Sequence, residues 1–141
     1  MPGHALCHAV TIRSDAAKVR DALTTAQGLR GWTMAEVSGG DDVGGRWSFN
    51  YANGPKFVWQ IVAHDSGKIS WKCVEGPGDS VGTGVTFDLG KTADGRVQVN
   101  FVHEGWPHQE GNFAKCNALW GMMLHHLRAF AEHGRVAPAY S

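Results

Sequence analysis

The chain has 141 residues, with 13 lysines and arginines balanced by 13 aspartates and glutamates. Proteins that bind nucleic acid or anionic membranes usually carry a basic excess, so this zero net charge argues against both partners. Hydrophobic residues make up 43% of the chain, which is enough for one packed domain and excludes extensive disorder. We expect a single domain over residues 1–141, with its core at about 8–136.

The three cysteines, Cys7, Cys73 and Cys116, are far apart and odd in number. That usage argues against a disulfide framework and favours a reducing compartment, so we expect a cytoplasmic protein. The first residues lack the basic and then apolar pattern of a signal peptide. The apolar stretch near the C-terminus is interrupted by His125, His126 and Arg128, so no membrane-spanning segment is predicted.

The first third of the chain predicts a strand followed by helices. Residues 8–13 read as a strand, and Ser14 or Asp15 can cap the helix predicted over 15–25. Gly28 and Gly31 then break the chain into a short second helix or turn. A further strand is predicted near 33–38.

The middle of the chain has apolar residues at every second position, separated by glycine-rich turns. This pattern is typical of antiparallel strands with one buried face. The five predicted strands are 46–51, 57–63, 69–75, 81–89 and 97–103.

The last segment changes to helical spacing, with apolar residues recurring from Phe113 to Ala131. Gly134 is the predicted C-cap. A sheet with one apolar face needs a cover, and this long helix is the only predicted element large enough. We therefore predict an α+β helix-grip fold, a curved antiparallel sheet wrapped around the C-terminal helix.

Short turns predict how the strands pair. The expected opposite residues are Leu89 with Val97, Glu75 with Val81, Trp71 with Val85, Cys73 with Thr83, Thr83 with His103, Trp59 with Cys73, and Phe49 with Trp59. Under these registers one end of the inner face is apolar. The other end carries Tyr51, Cys73, Glu75, Thr83 and His103, as in a small-molecule pocket with a polar mouth.

The predicted ligand-binding side chains come from this inner face and from the long helix. They are Phe49, Tyr51, Trp59, Trp71, Cys73, Thr83, Phe101, His103, Trp120 and Met123. If the protein were an enzyme, His103 with Tyr51 or Glu75 would supply general acid–base catalysis. The opposing interpretation is that His103 only hydrogen-bonds Thr83 or a water, as buried polar groups normally do. Cys73 lies on a strand among tryptophans and is expected to be structural.

The sequence HEGWPH at residues 103–108 is one residue longer than the zinc-protease motif H-E-x-x-H. Two histidines five apart on a helix would point roughly 140° away from each other. Gly105 and Pro107 would also break that helix, so the segment reads as a strand end with His103 and Glu104 on opposite faces. We predict no metal and no cofactor.

The order and spacing of several stretches together resemble the START-like superfamily, also called the SRPBCC or Bet v-type helix-grip fold. The stretches are residues 19–25, 31–32, 44–49, 71–73, 86–87, 101–106, 116–121 and 124–134. The closest resemblance is to the family related to the C-terminal domain of the activator of the heat-shock protein 90 ATPase. The resemblance implies a curved sheet that grips a C-terminal helix around a hydrophobic cavity. Its relatives include lipid carriers, hormone-binding proteins, polyketide cyclases and co-chaperone domains.

Three functions stay open at this point. The first is binding of a small hydrophobic ligand by a monomer or weak homodimer, in a stress-related or regulatory setting. The second is a cyclase- or dehydratase-like enzyme, and the third is a co-chaperone module with a chaperone or other protein as partner. A cavity on the order of several hundred Å³ that reaches His103 would favour the first two. A filled interior would favour the third.

Overall fold

The computed structural model describes residues 4–33, 35–39, 43–51, 56–65, 67–76, 78–107 and 111–133. Its strands are β1 (His4–Ile12), β2 (Glu36–Gly39), β3 (Arg46–Asn50), β4 (Lys56–His64), β5 (Lys68–Glu75), β6 (Gly84–Lys91) and β7 (Val97–Trp106). Its helices are α1 (Ala16–Thr24), α2 (Ala26–Arg30) and α3 (Asn112–His133). One turn of 3₁₀ helix at Gly78–Ser80 separates β5 from β6.

The seven strands form one antiparallel sheet in the order β1-β7-β6-β5-β4-β3-β2. Aromatic side chains from the sheet pack against α3. Phe87 lies 5.1 Å from Trp71 and 5.0 Å from Phe101 between ring centroids, and Phe101 lies 4.4 Å from Trp120 of α3. The predicted α+β helix-grip fold is confirmed. The predicted C-cap at Gly134 lies outside the described residues.

The predicted pairing of Trp59 with Cys73 is confirmed. The predicted register between β3 and β4 is wrong by two residues. Phe49 lies opposite Phe57 instead of Trp59, and the pairing extends to the last residue of β3. A shift of two residues keeps every side chain on its predicted face. The inner aromatic face therefore forms as expected, although individual neighbours differ.

The β6–β7 prediction is also wrong by two residues, since Leu89 lies opposite Val99 instead of Val97. The strands run further than expected because the turn between them is tight. The Gly95 N–H donates to the Thr92 carbonyl at 3.0 Å, and Gly95 has a φ of 85°. A left-handed conformation of this kind is one that glycine adopts without steric cost.

Two residues predicted on the inner face lie elsewhere. A β-bulge in β4 places Val58 opposite Glu75, and the Glu75 side chain is exposed at the end of β5. Val81 is 49% exposed and precedes β6, in the turn that follows the 3₁₀ helix. Because of the bulge and the inserted 3₁₀ turn, Glu75 and Val81 do not lie on the inner face of the sheet. The simple alternation of apolar residues in the sequence did not reveal either feature.

Side-chain caps define the two short helices. Asp15 caps α1 by accepting a hydrogen bond from the Lys18 N–H at 2.7 Å, as the sequence predicted. Thr25 ends α1 and caps α2 by accepting from the Gly28 N–H at 2.9 Å. The two helices touch at Gly28, where an added Cβ would lie 2.5 Å from the Asp21 carbonyl oxygen.

We expect Gly28→Ala to lower the free energy of unfolding by about 1–3 kcal/mol, because the methyl group would force α1 and α2 apart. Urea unfolding followed by tryptophan fluorescence measures the change. Gly90→Ala is the control, since an added Cβ on β6 would meet nothing within 4 Å. Equal stability of the two variants would contradict the close packing at Gly28.

Candidate functional site

The interior between the sheet and α3 is almost filled. The described side chains leave there a cavity of about 10 Å³, which is close to the minimum room for one water molecule. We call this place the α3 cleft. Its lining consists of Phe49, Tyr51, Phe57, Trp59, Cys116, Leu119, Trp120 and Met123. Between the sheet and α3, the described residues therefore leave no space on the scale that we predicted.

Half of the predicted ligand-binding residues lie at this cleft, namely Phe49, Tyr51, Trp59, Trp120 and Met123. Trp71, Cys73, Thr83, Phe101 and His103 are buried in the packing around it instead. Sequence reasoning missed Phe57, Cys116 and Leu119 as lining residues. Cys116 and Leu119 precede Trp120 and Met123 by four residues each, and helical spacing would have placed them on the same face.

His103 is completely buried and hydrogen-bonded at both ring nitrogens. The Trp120 indole N–H donates to His103 Nδ1 at 3.0 Å, and an indole can only donate. The proton of the neutral ring therefore resides on Nε2, which donates to Thr83 Oγ1 at 2.7 Å. The Thr83 hydroxyl in turn donates to the Ser80 carbonyl at 2.6 Å. We call this series of residues the His103 chain.

Burial lowers the pKa of His103 to about 3, so the ring is neutral at physiological pH. A general base must offer a lone pair within reach of a substrate proton. The Nδ1 lone pair of His103 is occupied by Trp120, and its Nε2 proton by Thr83. The interpretation that His103 hydrogen-bonds Thr83 is confirmed, and the geometry argues against acid–base catalysis by this ring.

The two suggested catalytic partners do not reach His103. Tyr51 donates its hydroxyl proton to the Met123 thioether, with 3.5 Å between Oη and Sδ. Burial raises the pKa of Tyr51 well above its ordinary value, so the phenol stays protonated. Glu75 is exposed at the end of β5. The predicted arrangement of His103 with Tyr51 or Glu75 is therefore absent from the described residues.

Cys73 is completely buried, and its thiol donates to the Glu75 carbonyl at 3.4 Å. Burial raises its thiol pKa, which disfavours the nucleophilic thiolate. The described residues contain no group of three histidine, cysteine, aspartate or glutamate side chains that could hold a metal ion. His108, the second histidine of the HEGWPH segment, lies outside them. No described helix is long and apolar enough to span a membrane.

One buried donor at the cleft is unsatisfied. Trp59 is 2% exposed, and its indole Nε1–H has no hydrogen-bond partner among the described residues. Trp47 and Trp106 share this property, but neither lines the cleft. A buried donor without an acceptor is destabilising by about 1–3 kcal/mol. Trp59 is therefore a donor that a bound molecule with an acceptor atom could satisfy.

A family model described as Activator of Hsp90 ATPase homolog 1-like protein matches residues 13–132. The chain belongs to this family. The match covers α1 through nearly all of α3 and confirms the resemblance inferred from the sequence. No functionally curated protein is similar enough in sequence to count as a match.

Solved structures agree with this family fold. The Aha1 dimer from Colwellia psychrerythraea is 25% identical, with a TM-score of 0.83 over 93% of this chain and 98% of that one. MLL2253 from Mesorhizobium loti is 20% identical, with a TM-score of 0.76 over 89% and 94% of the two chains. DynU16, a protein of the dynemicin biosynthetic locus, is 17% identical, with a TM-score of 0.79. The match covers 96% of this chain and 49% of DynU16.

The low pKa of His103 predicts a specific loss of stability in acid. Between pH 6.5 and about 3 the unfolded histidine binds a proton that the folded one does not, so stability falls as pH falls. The His103 contribution is fully present above pH 6.5 and decreases by up to about 1.4 kcal/mol per pH unit below it.

Urea unfolding of the wild type and of His103→Gln at pH 7, 6 and 5 isolates this contribution. The glutamine keeps one acceptor and one donor but does not titrate, so its stability should fall less steeply with pH. Ala118→Gln, which changes an exposed and non-titrating residue on α3, should keep the wild-type slope. Parallel slopes for the wild type and His103→Gln would show that His103 titrates normally.

Proposed function

We propose that the chain binds one small, uncharged and mostly apolar molecule at the α3 cleft, without transforming it. The observation that carries this proposal is the buried, unsatisfied Trp59 N–H within an apolar lining. The helix-grip fold of the family supports it, because the cleft lies where the sheet meets the long helix. The occupied nitrogens of His103 favour binding over catalysis.

The lining limits the chemistry of the ligand. It contains no charged side chain, so an ionic ligand would lose its hydration without compensation. Its two best donors are the Trp59 N–H and the Tyr51 hydroxyl, whose present acceptor is the weakly accepting Met123 sulfur. A ligand with a carbonyl or ether oxygen would satisfy both donors better than the protein does.

Binding requires the α3 cleft to open, since about 10 Å³ cannot hold an organic molecule. Tyr51 and Leu119 are only partly buried and form the side of the cleft nearest to solvent. Met123 is unbranched and changes rotamer at low cost. We propose that these side chains move together, so that ligand entry breaks the contact between Tyr51 and Met123.

A neutral fluorescent probe, N-phenyl-1-naphthylamine, tests the site. We expect saturable binding to the wild type, with energy transfer from the cleft tryptophans. Leu119→Trp should weaken this binding about tenfold or more, because the larger ring would fill the rim of the cleft. The control is Ala118→Trp, which adds the same ring at an exposed neighbour on α3. Equal binding by both variants, or none by the wild type, would contradict the proposal.

Native mass spectrometry of the freshly purified wild type complements the probe. A co-purified molecule that Leu119→Trp excludes and Ala118→Trp retains would identify the natural ligand class. A ligand retained equally by both variants would bind elsewhere on the chain.

A second candidate is a protein-interaction module of the co-chaperone type, and the nearly filled interior favours it. The description of the family names the Hsp90 ATPase. If the protein has this function, adding it to the chaperone should stimulate that ATPase. We would test this by comparing the ATPase rate of an Hsp90-type chaperone with and without the protein. Stimulation that Leu119→Trp leaves unchanged would support the second candidate over the first.

The cellular setting is part of the same proposal. The described cysteines Cys7, Cys73 and Cys116 form no disulfide bond with one another, which is compatible with the reducing cytoplasm. The family description is compatible with a stress-related role. The Colwellia relative was solved as a dimer, and we propose a weak homodimer here as well.

A further inference from the structure

Resting on the homodimer proposed above, we propose that β1 is its interface, on which two copies of the chain pair antiparallel about a two-fold axis at Ala9. The sheet order leaves β1 at one edge and β2 at the other. β2 has four residues, whereas β1 has nine. No strand lies on the outer side of β1 in the described part of the chain. Its outward N–H and C=O groups therefore form a template for another strand.

β1 lacks the features that normally protect an edge strand. Its sequence, HALCHAVTI, contains no aspartate, glutamate, lysine, arginine or proline. Every other strand of the described sheet carries at least one charged residue, for example Glu36, Arg46, Lys56, Lys68, Asp88 and Glu104 in β2 to β7. Edge strands usually carry such charges or prolines because these prevent pairing with another chain. The longer edge of this sheet is the unprotected one.

The pairing of β1 with β7 fixes the centre of the proposed interface. A bulge between His4 and Leu6 interrupts the ladder, and the register is then continuous from Leu6 to Ile12. Ala9 is the middle of these seven residues. An axis there sets Ala9 opposite Ala9 of the partner subunit, and Cys7 opposite Thr11 of the partner subunit.

The side chains along β1 allow the backbone of a second copy to come within hydrogen-bonding distance. Ala5, Cys7 and Ala9 are exposed on the face away from α3, and all three are small. A second copy offers a strand of equal length that is equally free of charge, and one axis satisfies both edges at once. Such an interface is small, so we expect a reversible dimer that depends on protein concentration.

Sedimentation equilibrium of the full chain under reducing conditions, from micromolar to millimolar concentration, tests the association. We expect Ala9→Lys to raise the dissociation constant about fivefold, because two like charges then lie directly opposite each other. Val62→Lys adds the same charge at an exposed position of β4 inside the sheet, and it should leave the constant unchanged. A monomer at every concentration, or a dimer that Ala9→Lys leaves intact, overturns the proposal.

A cross-linking experiment tests the register without relying on Ala9→Lys to fold. Cys7 is exposed, whereas Cys73 and Cys116 are buried. Thr11→Cys places a new thiol opposite Cys7 of the partner subunit, while within one strand the two positions are about 13 Å apart. Mild oxidation should therefore link Thr11→Cys dimers faster than Val62→Cys dimers. Equal rates for the two variants overturn the pairing at Ala9.

Discussion

The His103 chain is the interaction on which the arrangement of α3 depends. It begins on α3 at Trp120, passes through His103 on β7 and Thr83 before β6, and ends at the Ser80 carbonyl of the 3₁₀ turn. Each donor in it has one acceptor, and the order of protons is fixed because an indole can only donate. Surrounding aromatic side chains exclude water from it, so loss of one member would leave another buried and unsatisfied.

The same constraint explains the character of the α3 cleft. Trp120 belongs both to the His103 chain and to the cleft lining, so one side of the cleft is fixed by a hydrogen bond. Tyr51 and Met123 also line the cleft, and they share only a weak contact to sulfur. We expect the cleft to open at the contact between Tyr51 and Met123, as proposed above, because a hydrogen bond to sulfur is weaker than the one that holds Trp120.

Most of the fold followed from periodicity in the sequence. The alternation of apolar residues gave the inner face of the sheet, and the helical spacing from Phe113 gave α3. The errors came from features that periodicity does not encode. Two hairpin registers differed from expectation by two residues, and a bulge in β4 with the inserted 3₁₀ turn left Glu75 exposed.

The candidate site was harder to predict than the fold. The inward direction of His103 was correct because it depends only on strand alternation. Its role depends on which partners occupy its two nitrogens, and Trp120 is 17 residues away in a different element. The volume of the interior depends on how all of the aromatic rings pack together, which no local pattern specifies.

Nitrogen NMR of the His103 ring tests the central claim most directly. We expect that, from pH 7 to pH 4, Nδ1 stays an unprotonated acceptor and Nε2 carries the proton. Leu119→Trp and Ala118→Trp should leave this state unchanged, because Leu119 and Ala118 have no part in the His103 chain. A ring that titrates near its ordinary pKa of 6.5, or that carries its proton on Nδ1, would contradict the account.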